Sequence, residues 1–358
     1  MGFRKDGVVI LLGAGCSKDA GIPTSLDMIT DIEKWIETGR VERKINWGEF
    51  KELYYFVKSS ILYAHGIKGD FPPNVNYNIE KLVNTLTELE KRESHPLYPF
   101  VGSWNTKLLD VAGSNFSNIK RFRDELVEQL KAWVTQRDYD KANYFSRIFA
   151  FKKEYNFPLR VFSLNYDLCL EKNTDDAILE KGFDDSRRWE WRRFEDNENT
   201  PADIYLYKMH GSIDWERVDG DLTYSDEVAK IENPDLIFGT NYKLQYVDPY
   251  LFYAYEFRRY TLESQLILTI GYGFGDEHIN GIIRQALQSN PQRRLSCVVY
   301  DSKVEEVRKQ ILKSLQNPNP GQVKIVNSKA KSYMEDELVV AKLGQDIPQE
   351  EDVLEPQR

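Results

Sequence analysis

Short apolar runs recur along this chain, and several of them stop at Gly, Asn or His. They are Val8 to Leu12, Leu159 to Leu164, Ile204 to Met209, Leu266 to Ile270, Leu295 to Tyr300 and Val323 to Val326. Runs of this length are typical of buried β-strands. Between the late runs, apolar residues recur at helical spacing, as in Ile279, Ile283 and Leu287. Strands alternating with helices predict an α/β fold, a Rossmann-like parallel sheet with helices on both faces.

The pattern is different between the first run and the second, where one helical stripe follows another. The first stripe is Ile29-Ile32-Ile36 and the last is Ile119-Phe122-Leu126-Leu130-Trp133. Gly39 and Gly66 are placed to end helices, and Asn78 is placed to cap one. The sequence therefore predicts an all-helical lobe inserted after the first strand.

These patterns predict the domain organisation. One domain covers residues 1–343, with a Rossmann-like core (1–25 and 156–343) and a helical insertion (26–155). Residues 344–358 are rich in acids, and we expect them to form a flexible tail.

Charge and cysteine content exclude several classes of protein. The 358 residues carry 48 basic and 57 acidic side chains, a net charge of −9, which argues against nucleic-acid binding through bulk charge. Acids outnumber arginines around Arg187 to Arg193, which favours a solvated or subunit-contacting loop there. Cys16, Cys169 and Cys297 are too scattered for a disulfide framework or a structural zinc site. Without an apolar run of about 18 residues, the chain is expected to be soluble and cytoplasmic, with no membrane contact.

The first apolar run ends in a glycine-rich segment. Gly13-Ala14-Gly15-Cys16-Ser17 follows it directly, and Gly21-Ile22-Pro23 comes next. Gly-x-Gly after a buried strand lets backbone N–H groups approach a phosphate, and the next helix would offer its positive end. Ser17 would add a hydroxyl donor. Position 18 is Lys instead of the third glycine of a dinucleotide fingerprint, so the alternative is a tight turn without a ligand.

Polar residues follow two further runs. Asn165 and Asp167 flank Tyr166 at the end of the second run, and His210 precedes a glycine at the end of the third. The carboxyl ends of parallel strands line the ligand crevice of an open sheet, and His is suited to general acid/base work. The plainer alternatives are an Asn/Asp turn and a structural or exposed histidine. Nothing in the spacing of Asp167, His210 and Asp214 favours a metal site.

A second glycine-broken strand end is Gly271-Tyr272-Gly273-Phe274-Gly275-Asp276. Two such ends in one sheet favour a ligand whose halves are joined by a pyrophosphate. Asp301 follows a later run and is placed to take a ribose hydroxyl, with ordinary helix capping as the alternative.

In their order along the chain, these segments resemble the motifs of the sirtuin superfamily. The matched segments are Gly13 to Ser17 with Gly21-Ile22-Pro23, then Asn165-Tyr166-Asp167, then His210-Gly211. The forms Ser163 to Asp167, Lys208 to Trp215 and Gly271 to Asp276 look like the bacterial sirtuin-like branch found in antiphage defence proteins. The resemblance spans about residues 8 to 330.

The resemblance implies roles for individual residues. Those expected to bind NAD are Gly13, Ala14, Gly15, Ser17, Gly21, Pro23, Gly271, Tyr272, Gly273, Asp276 and Asp301. Among the catalytic residues, Asn165 would position a water or the ribose, Asp167 would hold the carboxamide, and His210 would be the base. No metal is required, because nicotinamide leaves as a neutral ring and the protein mainly orients groups and stabilises charge.

Two departures from the deacylase pattern bear on the substrate. Protein-deacylating sirtuins resemble one another in a four-cysteine zinc ribbon, which three cysteines cannot form. Thr24-Ser25-Leu26 replaces the Asp-Phe-Arg that often follows their Gly-Ile-Pro. Both departures favour an NAD+ hydrolase that releases nicotinamide and ADP-ribose. The defence branch implies an NAD-depleting effector that is activated by a partner or by assembly.

Two other functions stay open at this point. One is a non-catalytic NAD- or ADP-ribose-binding regulatory subunit of an ATPase or nuclease complex. The other is an NAD-dependent protein deacylase that lacks the zinc ribbon. The expected partners are further copies of the chain, as a homo-oligomer, and an HerA-like ATPase or another defence-system protein, with no direct contact to nucleic acid.

Overall fold

The computed structural model describes residues 3–69, 71, 77–91, 106–174, 176–195, 201–237 and 247–348. The strands are β1 (Val8–Leu12), β2 (Val41–Glu42), β3 (Ile45–Asn46), β4 (Leu159–Ser163), β5 (Leu179–Glu180), β6 (Ile204–Lys208), β7 (Trp215–Val218), β8 (Asp221–Tyr224), β9 (Leu266–Ile270), β10 (Arg294–Val299) and β11 (Val323–Asn327). The helices are α1 (Ser25–Thr38), α2 (Lys51–Ile67), α3 (Ile79–Glu90), α4 (Thr106–Ala112), α5 (Ser117–Val134), α6 (Ser146–Tyr155), α7 (Tyr250–Glu263), α8 (Glu277–Ser289), α9 (Val304–Ser314), α10 (Ala330–Asp336) and α11 (Val340–Gly344).

Seven of the strands form one sheet, in the order β11-β10-β9-β1-β4-β6-β5. Every neighbouring pair is parallel. All residues of β1, β4, β6 and β9 are buried. Because successive side chains of a strand point to opposite faces, both faces of the central sheet are covered. The predicted α/β class, a Rossmann-like parallel sheet flanked by helices, is confirmed.

The strand order reverses at β1. The chain leaves β1 and pairs with it again through β4, then moves outward to β6. It later returns to the other side of β1 with β9 and continues outward through β10 and β11. The crevice outside the carboxyl ends of strands at such a reversal is where open α/β sheets bind ligands. The site is therefore expected beyond Leu12, between the ends of β4 and β9.

The chain divides into two compact units. One comprises Met1–Gly21, Arg137–Asp235 and Leu244–Arg358, and the other comprises Ile22–Gln136 and Leu236–Lys243. The seven-stranded sheet lies in the first. Residues 137–155, which the sequence analysis assigned to the insertion, group with the sheet. Tyr155 at the end of α6 accepts the N–H of Gly7 at 2.8 Å and donates its hydroxyl to the Arg4 carbonyl at 2.8 Å, which ties α6 to the segment before β1.

The second unit is helical apart from the two-residue strands β2 and β3, which pair as an antiparallel hairpin. Its core contains an aromatic cluster, in which the ring centroid of Trp35 lies 5.5 Å from those of both Trp47 and Trp133. Asn78 caps α3 by accepting the N–H of Lys81 at 2.9 Å, as predicted.

Two glycines were predicted to end helices in the second unit, and one of them does so. Gly39 ends α1 in the left-handed region at φ 60°, which a glycine adopts without steric cost. Gly66 does not end α2, since the helix runs one residue further to Ile67. An isolated glycine is tolerated inside a helix, so its presence alone does not fix the boundary.

The end of the chain is described only in part. Helix α11 ends at Gly344, and the predicted acidic tail continues through residues 345–348. Residues 349–358 lie outside the described residues. In the parts of the chain that the structure describes, no helix is long and apolar enough to cross a membrane.

Candidate nucleotide site

Four strand ends meet at the reversal of strand order. The side-chain amide of Asn165, after β4, donates to the Gly13 carbonyl, after β1, at 3.1 Å. The Gly13 N–H in turn donates to Ile270 at the end of β9 at 2.9 Å. The Met209 N–H, which directly precedes His210, donates to Ser163 at the end of β4 at 2.9 Å. The segments that carry the predicted catalytic residues are therefore brought together.

The two glycine-rich loops pack against each other. The Gly15 N–H donates to the Gly271 carbonyl at 2.9 Å. Gly271 has φ 66°, and a Cβ on it would lie 2.1 Å from the Cys16 nitrogen. The glycines therefore serve close loop packing, and the N–H groups of Gly13 and Gly15 are already bonded within the protein. Phosphate binding by this loop stays a prediction.

The helix behind the first loop is shorter than expected. Ala14–Ser17 is a four-residue 3-10 helix, and the next helix begins only at Ser25, where Thr24 forms its capping box. A single 3-10 turn aligns few peptide dipoles, so the helix terminus expected to face a phosphate is not supplied directly after β1.

Asn165 is held by its donors and leaves its acceptor available. Its Nδ2 donates to the Gly13 carbonyl and to Ser17 Oγ, both at 3.1 Å. The residue is 7% exposed, and its Oδ1 is buried with no hydrogen-bond partner among the described residues. A buried acceptor without a partner costs free energy, so this oxygen is suited to accept from a ligand hydroxyl or a water.

The carboxylate of Asp167 is held by two hydrogen bonds from the protein. Ser17 Oγ donates to its Oδ2 at 2.8 Å, and the Cys169 N–H donates to its Oδ1 at 3.0 Å. The hydroxyl hydrogen of Ser17 therefore points to Asp167, and both carboxylate oxygens accept from the protein. The predicted contact between Asp167 and a carboxamide stays a prediction.

Lys208 is a component that sequence reasoning missed. It is 1% exposed, and its Nζ donates to the Asp167 carbonyl and to Glu171 Oε1, the latter at 3.0 Å. Burial lowers the pKa of Lys208, but the neighbouring carboxylates outweigh burial and hold this pKa above its ordinary value. A charged lysine therefore supports the loop that carries Asp167. The sequence signal that could have identified Lys208 is its position as the charged last residue of an otherwise apolar strand.

His210 is 4% exposed and has one partner for its two ring nitrogens. Its Nε2 lies 3.4 Å from Asp276 Oδ2, whereas Nδ1 is buried with no hydrogen-bond partner among the described residues. The next residue, Gly211, has φ 86°, and a Cβ there would lie 2.0 Å from the Asp235 carbonyl oxygen. Gly211 is therefore required by its positive φ and by the close approach of the Asp235 carbonyl. Any space that it leaves beside the imidazole is a separate effect.

The remaining predicted NAD-binding residues have different surroundings. The Tyr272 hydroxyl lies near two acceptors, Asn280 Oδ1 at 2.8 Å and the Asp276 carbonyl at 3.1 Å. Ala14 and Gly273 are exposed, and Gly21 has φ 92°. Asp301 is exposed and accepts the Lys303 N–H at 2.7 Å in a turn ahead of α9, and it does not cap this helix, whose N-cap residue is Lys303. Pro23 lies in the other compact unit.

The arginine-rich segment is paired with acids. The four pairs within 4 Å are Arg187–Asp226, Arg188–Asp221, Arg192–Glu190 and Arg193–Glu180. Trp189 donates its indole N–H to the Tyr253 hydroxyl at 3.0 Å. Phosphate binding would have to displace these carboxylates, so the geometry favours a folded protein loop over a nucleic-acid surface.

The three cysteines are free and buried. Burial raises the pKa of the Cys16 and Cys169 thiols well above their usual range and that of Cys297 to about 12. Within the residue ranges described, no group of three His, Cys, Asp or Glu side chains is arranged to hold a metal ion.

We expect these thiols to resist alkylation in the native protein, because the reactive thiolate is scarce and the sulfur is covered. Intact-mass measurement after brief iodoacetamide treatment should show no adduct on the folded chain and three adducts in denaturant. Rapid modification of Cys16 in the folded chain would contradict the burial seen beside Asn165.

Fold and geometry together define a Rossmann-like α/β protein with buried polar side chains at the strand ends beside the sheet reversal. Residues 159–318, less than half of the chain, match the family model of the SIR2-like domain. This stretch contains Asn165, Asp167, His210 and Asp276, and the match supports the assignment to the sirtuin superfamily made from the motifs.

Solved structures give a distant likeness. A mutant Sir2 homologue in complex with 2'-O-acetyl ADP ribose is 11% identical, with 94% of this chain and 92% of that chain covered and a TM-score of 0.44. A Sir2 homolog–NAD complex is 12% identical, with 95% and 90% covered and a TM-score of 0.44. None of the curated proteins compared with the chain matches it.

Proposed function

We propose that this chain is an NAD glycohydrolase that cleaves NAD to nicotinamide and ADP-ribose. The observation that carries the proposal is the pair of buried, unpartnered atoms Asn165 Oδ1 and His210 Nδ1. Both belong to residues at the carboxyl ends of neighbouring strands, β4 and β6, within the SIR2-like stretch. An acceptor and a potential proton acceptor in one crevice are what addition of water to a ribose carbon needs.

The proposed reaction breaks the bond from the anomeric carbon to the nicotinamide nitrogen, with the electron pair leaving on nicotinamide, and joins that carbon to a water oxygen. Asn165 orients the water or a ribose hydroxyl through Oδ1. His210 accepts the proton that the water loses. The loop around Gly13 and the loop around Gly271 enclose the dinucleotide. The burial of Asn165 and His210 supports this assignment, since a low-dielectric site strengthens oriented dipoles.

Hydrolysis is favoured over deacylation by the cysteine chemistry. A four-cysteine zinc ribbon needs four thiolates, and the chain has three cysteines, all buried and free. Burial keeps these thiols protonated, the opposite of what zinc ligation requires.

The test is nicotinamide release from NAD by the purified chain, without any peptide, followed by chromatography of the nucleotides. We expect His210→Ala and Asn165→Ala to lower the rate by about 10²- to 10⁴-fold, the usual contribution of a positioned general base or a charge-stabilising group. His65→Ala is the matched control, because this histidine lies on α2 in the other compact unit, and its rate should equal that of the unchanged chain.

Three outcomes would contradict the proposal. Full activity of both Ala variants would remove Asn165 and His210 from the chemistry. NAD consumption that occurs only with an acylated peptide would indicate a deacylase. Stable binding of intact NAD by the chain in its complete assembly would indicate a regulatory binding module. Thermal unfolding of Asn165→Ala should be recorded beside its rate, since Nδ2 also bridges Gly13 and Ser17.

We further propose that the chain acts as an NAD-depleting effector in antiphage defence, switched on by assembly with further copies or with an HerA-like ATPase. The motif forms Gly271 to Asp276 and Lys208 to Trp215 support this role through their resemblance to the defence branch. Co-expression with an HerA-like ATPase, followed by copurification and NAD measurement during infection, tests it. Unchanged NAD levels together with no copurifying ATPase would count against the role.

A further inference from the structure

The two oxygens of the Asp276 carboxylate have different contacts. Oδ1 caps α8 by accepting the N–H groups of His278 at 3.0 Å and Ile279 at 3.3 Å. Oδ2 lies 3.4 Å from His210 Nε2. Asp276 is 5% exposed and His210 is 4% exposed, so the pair is shielded from water. One side chain thus joins the start of a helix to the histidine of the crevice.

The loop that carries Asp276 is held rigidly. Tyr272 donates its hydroxyl to Asn280 Oδ1 at 2.8 Å, and Asn280 Nδ2 donates to the Phe274 carbonyl at 2.9 Å. These bonds tie the loop after β9 to the first turns of α8. The Asp276 carboxylate is therefore fixed in place before any ligand arrives, which is what orientation of a catalytic group requires.

The chemistry of a carboxylate decides which imidazole nitrogen carries the hydrogen. An ionised carboxylate only accepts hydrogen bonds, so the nitrogen that faces it is favoured as N–H. In a neutral imidazole the other nitrogen then has a free lone pair. Here the facing nitrogen is Nε2, and the other is the buried, unpartnered Nδ1.

We propose that Asp276 is a positioning residue that holds His210 in the Nε2–H tautomer, so that Nδ1 is the proton acceptor of the hydrolysis. This inference rests on the proposed function for its catalytic consequence, although the tautomer itself does not. It differs from the sequence expectation, in which Asp276 binds NAD. A binding residue changes KM when it is replaced, whereas a positioning residue changes kcat.

Asp276→Asn is the informative variant. Asparagine caps helices as well as aspartate does, so its oxygen can keep the bonds to His278 and Ile279. The amide NH2 then faces His210 Nε2 and donates, which favours hydrogen on Nδ1 and removes the acceptor. We expect kcat for nicotinamide release to fall about 10²- to 10⁴-fold, as for a catalytic histidine held in the wrong tautomer. KM and the melting temperature should stay close to those of the unchanged chain.

The direct readout is the ¹⁵N NMR spectrum of the imidazole nitrogens at mildly alkaline pH. The chain has four histidines, so labelling with ¹⁵N-histidine gives few signals, and His210→Gln identifies the one that matters. We expect the proton on Nε2 in the unchanged chain and on Nδ1 in Asp276→Asn. Asp184→Asn is the control, because Asp184 also accepts a backbone N–H, from Arg188 at 2.9 Å, but is only half-buried, whereas Asp276 is buried.

The outcomes separate the inference from the proposed function. A proton on Nδ1 of His210 in the unchanged chain overturns the inference. So does a tautomer that is the same in Asp276→Asn, or a loss of activity that lies entirely in KM. If the unchanged chain releases no nicotinamide under any condition, the proposed function fails, and the NMR spectra still decide whether Asp276 sets the tautomer.

Discussion

Gly271→Ala is expected to prevent the chain from reaching a stable fold. A Cβ at this position would lie 2.1 Å from the Cys16 nitrogen and 2.5 Å from the Gly15 carbonyl carbon, both backbone atoms that cannot move aside cheaply. The backbone has φ 66°, which adds strain for any residue with a Cβ. We expect a loss of at least about 3 kcal/mol in the free energy of unfolding, from strain and clash together.

Gly273→Ala is the matched control, two residues further along the same loop. Apart from its chain neighbours, none of the described residues lies within 4 Å of a Cβ built there, so the change should stay within about 0.5 kcal/mol. Urea unfolding followed by circular dichroism measures both variants. Equal stability of the two would mean that the loops of Gly15 and Gly271 do not pack as described.

Arg160→Ala is expected to lower the free energy of unfolding by about 3–5 kcal/mol, the usual loss when a buried charge partner is removed. Arg160 is 2% exposed, and its guanidinium lies 4.0 Å from the ring of Tyr205 and 4.6 Å from the ring of Tyr260. It also donates to the Tyr207 hydroxyl at 3.1 Å and to the Phe194 carbonyl at 3.2 Å. Truncation leaves these acceptors unpaired and opens a cavity.

An exposed arginine of the same unit provides the comparison. Arg187 pairs with Asp226, and their side chains are 50% and 61% exposed, so Arg187→Ala should cost less than about 1 kcal/mol. Arg160→Lys tests the planar geometry, because lysine keeps the charge but neither stacks between the tyrosines nor donates in two fixed directions. A stability of Arg160→Ala equal to that of Arg187→Ala would contradict the role of Arg160 in the core.

The sequence predicted the central sheet well because its strands are buried on both faces. Val8–Leu12 is a continuous apolar run and Leu266–Ile270 is interrupted only by Thr269, and the predicted bounds of both agree with the structure. The hairpin of β7 and β8 was missed, although Asp219-Gly220 at its turn is a recognised hairpin signal. Helix α7 was missed although its buried residues Tyr250, Tyr253, Phe257 and Tyr260 repeat at helical spacing. The stripe is obscured because large hydrophobic residues such as Leu251 and Tyr255 also lie on the exposed face.

The strand ends that form the candidate site could be predicted from the sequence, but the contacts between side chains at these ends could not. Asn165 and His210 follow apolar runs, so their presence at one sheet edge follows from parallel topology. Two contacts depend on three-dimensional placement instead, namely Asp276 against His210 and Ser17 against Asp167. Sequence spacing carries no information on such pairs, and direct NAD binding by Asp276 and Ser17 stays a prediction.

The central position of β1 has a consequence for synthesis of the protein. Val9 pairs with Arg160 of β4, and Val8 pairs with Leu266 of β9. The first strand to be synthesised therefore gains its second neighbour, β9, only after most of the chain has been translated. At 5–20 residues per second, this strand waits on the order of 10–50 s for β9. During that time a fully apolar segment is open to pairing with other chains. We therefore expect newly made chains to depend on chaperones until β9 has emerged from the ribosome.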